Sequence, residues 1–206
     1  MKVTRSGTPD FKKNGKWVKS FHTSENGVTY QNNTRAIVLF NSVKARCRPD
    51  SGVYRESIFA FGDFQSFADW CQNQPGYMNK EGDGRFWAID KDWLSPYEPL
   101  YSEDTCLFVP VRVNALTVNH KNNKGLPIGV SWYERYGKYS AVCGRGNTLG
   151  YFMTPETAHM AWQHAQVKRI RAAIEPEFCE KLRQAMEVRA LLIEDDIGLG
   201  VETNYT

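Results

Sequence analysis

The chain has 206 residues, 41% of them hydrophobic and 24% charged, with a formal net charge of +3; it is long enough for a packed core and too apolar for a disordered polymer. No run approaches the roughly 18 apolar residues of a membrane span, and the opening MKVTRSGTPD lacks the apolar stretch of a secretory signal, so a cytoplasmic protein without a membrane partner is expected. Five cysteines, Cys47, Cys71, Cys106, Cys143 and Cys179, are odd in number and widely spaced, which argues against a disulfide framework and against a CxxC zinc knuckle.

Residues 1–33 are rich in Lys, Ser, Asn and Gly and show little apolar periodicity beyond Phe11, Trp17, Val18 and Phe21, so they read as a basic arm or loosely packed loops. A helix capped by Asn33 or Thr34 is predicted through about Arg46, because Ile37, Phe40, Val43 and Cys47 recur at three- and four-residue intervals. A second helix is signalled by Asp63 as N-cap, by the stripe Phe64, Phe67, Ala68 and Cys71, and by the stop Pro75-Gly76. Arg85 to Leu94 reads as a short strand entering a loop. Cys106 to Val113 reads as an extended piece leading to a short helix at Asn114.

Gly125 and Pro127 mark a boundary, after which GVSWY, KYSAVC and TLGYF alternate with the Gly-containing turns ERYG and GRGN. That is the pattern of a three-stranded meander. A helix follows, capped by Thr154, with Pro155 in its first turn and Ala158, Ala161, Trp162 and Ala165 as a narrow packing stripe. From Pro176 a last helix is predicted over Glu177 to about Ile193, and the acidic end EDDIGLGVETNYT reads as a tail.

Charge alternates along these pieces. Residues 1–48 carry 10 Lys/Arg against 2 Asp/Glu, a net of +8, and residues 49–110 carry 4 against 11, a net of −7. Residues 111–150 return to +5, with 6 against 1, and residues 151–206 to −3, with 6 against 9. Two basic blocks around an acidic one suggest particular faces offered to a polyanion, with solvated surface charge as the plainer alternative.

The texts GVSWYERYGKYSAV and LGYFMTPETAHMAW, three strands and then a packing helix, resemble the APETALA-type DNA-binding domain found in plant ethylene-response factors and fused to phage HNH homing endonucleases. The likeness covers Ile128 to Ile174. Upstream, FQSFADWCQNQPGY, WAIDKDWL and YSEDTCLFVPVRVNAL are similar to what precedes that module in tailed-phage proteins labelled HNH endonucleases. Together these texts cover Gly62 to Ile174, and with the readings of the two ends they give an α+β protein: a basic arm or loops at 1–33, an HNH-like helix and hairpin region at 34–124, a DNA-binding sheet and helix at 125–175, and a C-terminal helix with an acidic tail at 176–206.

In such a module the sheet lies in the major groove of double-stranded DNA. The residues that match sheet-face and turn positions are Trp132, Arg135, Lys138 and Arg145, with Tyr133, Tyr136 and Tyr139 interleaved. Arg can read guanine through two hydrogen bonds, and rings can meet thymine methyls or sugars. Strand alternation requires some of these aromatics to be core: Trp132, Arg135, Lys138 and Arg145 are expected outside, and Val130, Tyr139, Ala141 and Leu149 inside.

An HNH nuclease also needs a histidine general base beside a metal-binding acid. The corresponding stretch, Ile89-Asp90-Lys91-Asp92-Trp93-Leu94, has Lys91 or Asp92 at the base position, and no histidine occurs between His22 and His120. The resemblance therefore implies a nuclease site without its usual base. Asp90 and Asp92, with Asn114 or Glu103, are the candidate catalytic and metal-ligating residues, and their hard oxygens suit Mg²⁺ or another divalent cation. The alternative is that they cap a turn or pair with Arg85 or Lys91. A zinc site from Cys47, Cys71 and Cys106 with a histidine is a weaker option. His120 sits in a polar loop, and His159 and His164 share no helix face. Three functions stay open: a double-stranded DNA-binding protein with a degenerate nuclease site, an active metal-dependent endonuclease, and an early phage protein that inhibits a host protein through the acidic segment 49–110.

Overall fold

A computed structural model describes residues 2–117 and 125–204, so His120 lies outside the described residues. The fold is α+β, and the chain divides into two compact units, Met1–Phe108 and Val109–Thr206. The break falls between Phe108 and Val109, and Gly125 and Pro127 precede the meander.

The first unit opens with β1 (Lys2–Thr8), then a two-stranded hairpin of β2 (Lys12–Lys13) and β3 (Lys16–Trp17), then β4 (Ser20–Glu25) and β5 (Val28–Thr34). The three longer strands form a sheet ordered β1-β5-β4, with β5 parallel to β1 and antiparallel to β4. This corrects the reading of residues 1–33 as an arm or loops. The strands escape an apolar-periodicity search because their alternation is polar: Asn32 and Thr34 are the buried residues of β5, and Asn32 donates to Thr23 Oγ1 at 2.9 Å. Two Asn-Gly turns, Asn14-Gly15 and Asn26-Gly27, take positive φ at all four residues, as tight hairpin turns require.

Helix α1 (Arg35–Arg46) follows β5 directly. Thr34 is its N-cap residue, one of the two predicted, but the side chain makes no capping bond. The Thr34 hydroxyl donates backwards to the carbonyls of Val18 and Lys19, and the Ala36 N–H is met by Asp10 Oδ1 at 2.9 Å. The same carboxylate accepts from Gln72 at 3.0 Å and from the Tyr77 hydroxyl. Beyond a single 3-10 turn, β6 (Ile58–Phe59) leads to α2 (Phe64–Asn73), where Asp63 caps the Ser66 N–H at 2.9 Å as predicted. Then come β7 (Ala88–Asp90), β8 (Leu100–Tyr101) and β9 (Leu107–Val109), with β6 paired to β8 and β7 to β9. The short strand entering a loop that was predicted within Arg85 to Leu94 is β7, followed by a turn from Lys91.

The core of this unit is largely aromatic. Phe40, Phe61, Phe64, Phe67, Trp70 and Phe108 are buried, and Phe67 meets Phe61 edge-to-face at 5.0 Å and Phe40 at 5.6 Å. Such pairs add about 0.5–1.5 kcal/mol each beyond area burial. The helix stop at Gly76 has φ +83°, and a Cβ there would stand 2.4 Å from Trp87.

The second unit holds α3 (Val111–Asn114), the antiparallel meander β10 (Val130–Tyr133), β11 (Lys138–Val142) and β12 (Thr148–Phe152), and helices α4 (Pro155–Ala172) and α5 (Glu180–Leu199). Thr154 accepts from the Thr157 N–H at 3.3 Å to cap α4, and Pro155 occupies its first turn, as predicted. The last helix starts at Glu180, three residues after the predicted Glu177. It runs six past Ile193, absorbing Glu194, Asp195 and Asp196 from the acidic stretch read as a tail. Glu194 finds a partner there: Arg171 of α4 donates to both of its carboxylate oxygens, at 2.6 and 2.9 Å, and to Glu187 of α5. No helix among the described residues is long and apolar enough to cross a membrane.

Candidate nucleic-acid interface

Strand register decides which side each residue of the meander occupies. Val130 stands opposite Ala141, and Trp132 opposite Tyr139; Ala141 stands opposite Gly150, and Tyr139 opposite Phe152. These residues share one face. Val130 and Ala141 are buried with Ala158 of α4, and Tyr139, Leu149, Phe152 and Ala161 pack against that cluster. The other face carries Ser131, Tyr133, Lys138, Ser140 and Tyr151.

Tyr139 and Leu149 are half-buried on the helix side, and Val130 and Ala141 are fully buried. Arg135, Arg145 and Tyr136 are exposed, while Lys138 and Tyr133 are half-buried on the outward face. Trp132 requires a correction. It is 48% exposed, but alternation puts it on the helix-facing side, where it meets Tyr139 edge-to-face at 5.0 Å. The expectation of Trp132 and Lys138 on one surface ignored that the odd-numbered partner across the hairpin, Tyr133, is the one opposite Lys138.

The outward face is organised around three rings. Tyr133 lies 5.1 Å from Tyr136 and 5.0 Å from Tyr151, and Tyr136 lies 4.7 Å from Tyr151, centroid to centroid. Tyr151 is absent from the sequence-predicted set. Its place follows from register: it stands directly opposite Ser140, which in turn stands opposite Ser131 and shares a hydroxyl bond with it at 2.8 Å. The Arg135 guanidinium sits 5.8 Å from the Tyr136 ring centroid. Among the described residues no ion pair engages Arg135, Lys138 or Arg145. Glu134 is the single acidic residue from Gly129 to Phe152.

Arg135 and Lys138 border the turn between β10 and β11, and Arg145 lies in the turn between β11 and β12, at the opposite end of β11. Five strand residues at about 3.4 Å each separate the two turns by roughly 17 Å. A B-DNA major groove is about 12 Å wide.

The candidate nuclease residues are arranged differently. Asp90 ends β7 and is buried; its Oδ1 accepts the Trp93 N–H at 3.0 Å. Burial, with the Asp92 charge adding to it, pushes its carboxyl up to about 6. Asp92 lies beyond the strand in the following turn and accepts from the Lys91 ammonium. Asn114 belongs to the second unit, and its carbonyl accepts the Thr117 hydroxyl at 3.0 Å. Each carboxylate already has a protein partner, a backbone amide for Asp90 and an ammonium for Asp92, which is the turn-capping and pairing alternative read from the sequence. Among the described residues no group of three or more His, Cys, Asp or Glu side chains is placed to hold a metal. Cys71 and Cys106 are buried, and loss of solvation raises both thiols, Cys106 to about 12.

His159 is buried in α4 and stacks on Trp162 at 5.3 Å, and His164 is exposed. No family model, curated protein or solved structure matches the chain.

Proposed function

We propose that the chain binds double-stranded DNA through the outward face of the β10-β11-β12 meander, without cleaving it at Asp90 and Asp92. The observation that carries this reading is the composition of that face: three clustered tyrosines and Ser131 over the buried Ser140, bordered by Arg135 and Lys138, with Arg145 at the far turn. Cations at both ends of β11 suit phosphates on the two sides of a groove, and the rings between them offer flat, amphipathic contact to sugars and thymine methyls. The side of the sheet that packs on α4 is not available for this.

The test is duplex binding by the Arg135→Gln, Lys138→Gln double variant, measured by fluorescence anisotropy over a salt series. Affinity is expected to fall and the log–log salt slope to flatten by on the order of 2, from about 0.9 per phosphate contact, with the far-ultraviolet circular dichroism unchanged. Affinity and slope equal to the parent chain would remove the reading.

A further inference from the structure

The β2-β3 hairpin of the first unit puts Lys13 directly opposite Lys16. Like charges facing each other across a strand pair destabilise it, and a two-stranded hairpin is marginal to begin with. Both lysines are exposed, and no ion pair engages either of them among the described residues. The connection is the tightest available, Asn14 at φ 52° and Gly15 at φ 74°, so the two ammonium stems cannot drift apart through a loose loop.

The opposite side of the same hairpin is anchored firmly. Trp17 donates its backbone N–H to Gln65 Oε1 at 2.7 Å and accepts from Gln65 Nε2 at 3.1 Å, a two-way clamp onto α2. The Trp17 indole N–H and the Lys12 ammonium both reach Asp69 Oδ1, at 2.7 and 3.1 Å, and Lys12 lies 4.6 Å over the Trp17 ring. Alternation turns Lys12 and Trp17 to α2 and Lys13 and Lys16 away from it. Folding thus fixes one side of the hairpin to a helix and leaves two like charges side by side on the other.

We propose that this hairpin is a phosphate-gripping finger: Lys13 and Lys16 together contact the sugar-phosphate backbone of a nucleic acid, a second contact point that does not depend on the meander face. A polyanion with closely spaced charges removes the repulsion between the two lysines and receives a preformed pair of donors. The tip, Lys-Asn-Gly-Lys, holds no apolar side chain to enter a bilayer, which favours a nucleic-acid backbone over an anionic lipid surface.

The test is the Lys13→Gln, Lys16→Gln double variant of the full chain, compared with the parent chain and with the Arg135→Gln, Lys138→Gln variant. Each is titrated with a duplex oligonucleotide over a salt series, titrated with phosphatidylserine vesicles, and followed in a thermal melt. The finger predicts weaker duplex binding, a salt slope flatter by on the order of 2, and a melting temperature no lower than the parent's, because only a repulsion has been removed. A Lys13→Arg, Lys16→Arg variant is expected to keep the affinity. Unchanged duplex affinity and slope in the Gln variant would overturn the finger and leave the meander reading intact. Loss in the Gln variant with none in the Arg135, Lys138 variant would uphold the finger and remove the meander reading. Loss of vesicle binding alone would overturn it in favour of a lipid surface, and a parent chain that binds no duplex would sink both.

Discussion

Thr203 donates its backbone N–H to Nε2 of His159 at 3.0 Å, joining the segment after α5 to a helix 44 residues earlier. Because Nε2 accepts, the ring proton sits on Nδ1, which donates to the Ile128 carbonyl at 2.9 Å just before β10. Gln163 adds bonds to the Val201 carbonyl and to Thr203 Oγ1, and Thr203 Oγ1 donates to Asp196 at 2.7 Å. One buried imidazole therefore ties the chain end to the entry of the meander. His159→Phe keeps the stacking on Trp162 but leaves a buried N–H and a buried C=O without partners. Each such loss costs about 1–3 kcal/mol, so urea unfolding should show a drop on the order of 3 kcal/mol, and a chain ended at Gly200 should lose part of the same stability. A His159→Phe variant with the parent's midpoint would show that the network carries no weight.

Gly129 lies next to that carbonyl and cannot be replaced. Its φ is +75°, and a Cβ built there would stand 2.0 Å from Cδ1 and 2.3 Å from Cγ of Trp162. The backbone runs across the face of the indole, which is why a large anchor can sit in an otherwise small-residue stripe of α4. Gly129→Ala combines a left-handed backbone with a clash against a buried ring, and is expected to cost about 3 kcal/mol or more. Differential scanning calorimetry of the second unit's transition would check it; a change under about 1 kcal/mol would mean that Trp162 moves aside freely.

Elements with punctuation and apolar periodicity together were legible in the sequence. Asp63, Thr154 and Pro155 sit at the helix starts predicted for them, and the meander falls where its glycine turns put it. The sheet of residues 2–34 was not, since a strand that buries Asn32 and Thr34 has no apolar alternation to find. The Asn14-Gly15 and Asn26-Gly27 dipeptides were the signal that could have revealed both hairpins. The polar network of the last helix was out of reach for another reason: Thr203 and His159 are partners only because two helices and a reversal of the chain bring them together, and no local pattern encodes that. On the candidate interface, residue types were readable, but the side of the sheet was not, because the face of Trp132 follows from cross-strand register.

That register places two neighbouring aromatics differently. Trp132 shares the helix-facing side with Val130, whereas Tyr136 is 51% exposed and meets Tyr151 of the outward cluster edge-to-face. Trp132→Ala should leave duplex affinity within about twofold while lowering stability by about 1–2 kcal/mol from lost apolar burial. Tyr136→Ala should do the reverse, weakening binding by about tenfold with little change in the melt. Anisotropy and thermal unfolding on the same two preparations decide the matter, and a tryptophan variant that loses binding while folding normally would reverse the assignment of faces.

Asp90 gives the chain a stability that depends on pH in a stated direction. Burial raises its carboxyl from an ordinary 3.8 to about 6, so between those values the folded state holds a proton that the unfolded chain has released. Stability contributed by this group is therefore highest below about 4 and declines as pH rises through 6, where a buried charge has to be carried. The Trp93 N–H bond offsets only part of that cost. Asn at this position accepts the same hydrogen bond without the charge, so Asp90→Asn should raise stability at pH 7 by on the order of 3 kcal/mol, and the gain should shrink toward zero by about pH 4. If Asp90 instead served as a metal ligand, adding Mg²⁺ at pH 7 would stabilise the parent chain and not the variant. Urea unfolding at pH 7 and pH 4, with and without Mg²⁺, separates the two cases: a variant less stable at pH 7, or a parent protected by the ion, would contradict a purely structural carboxyl.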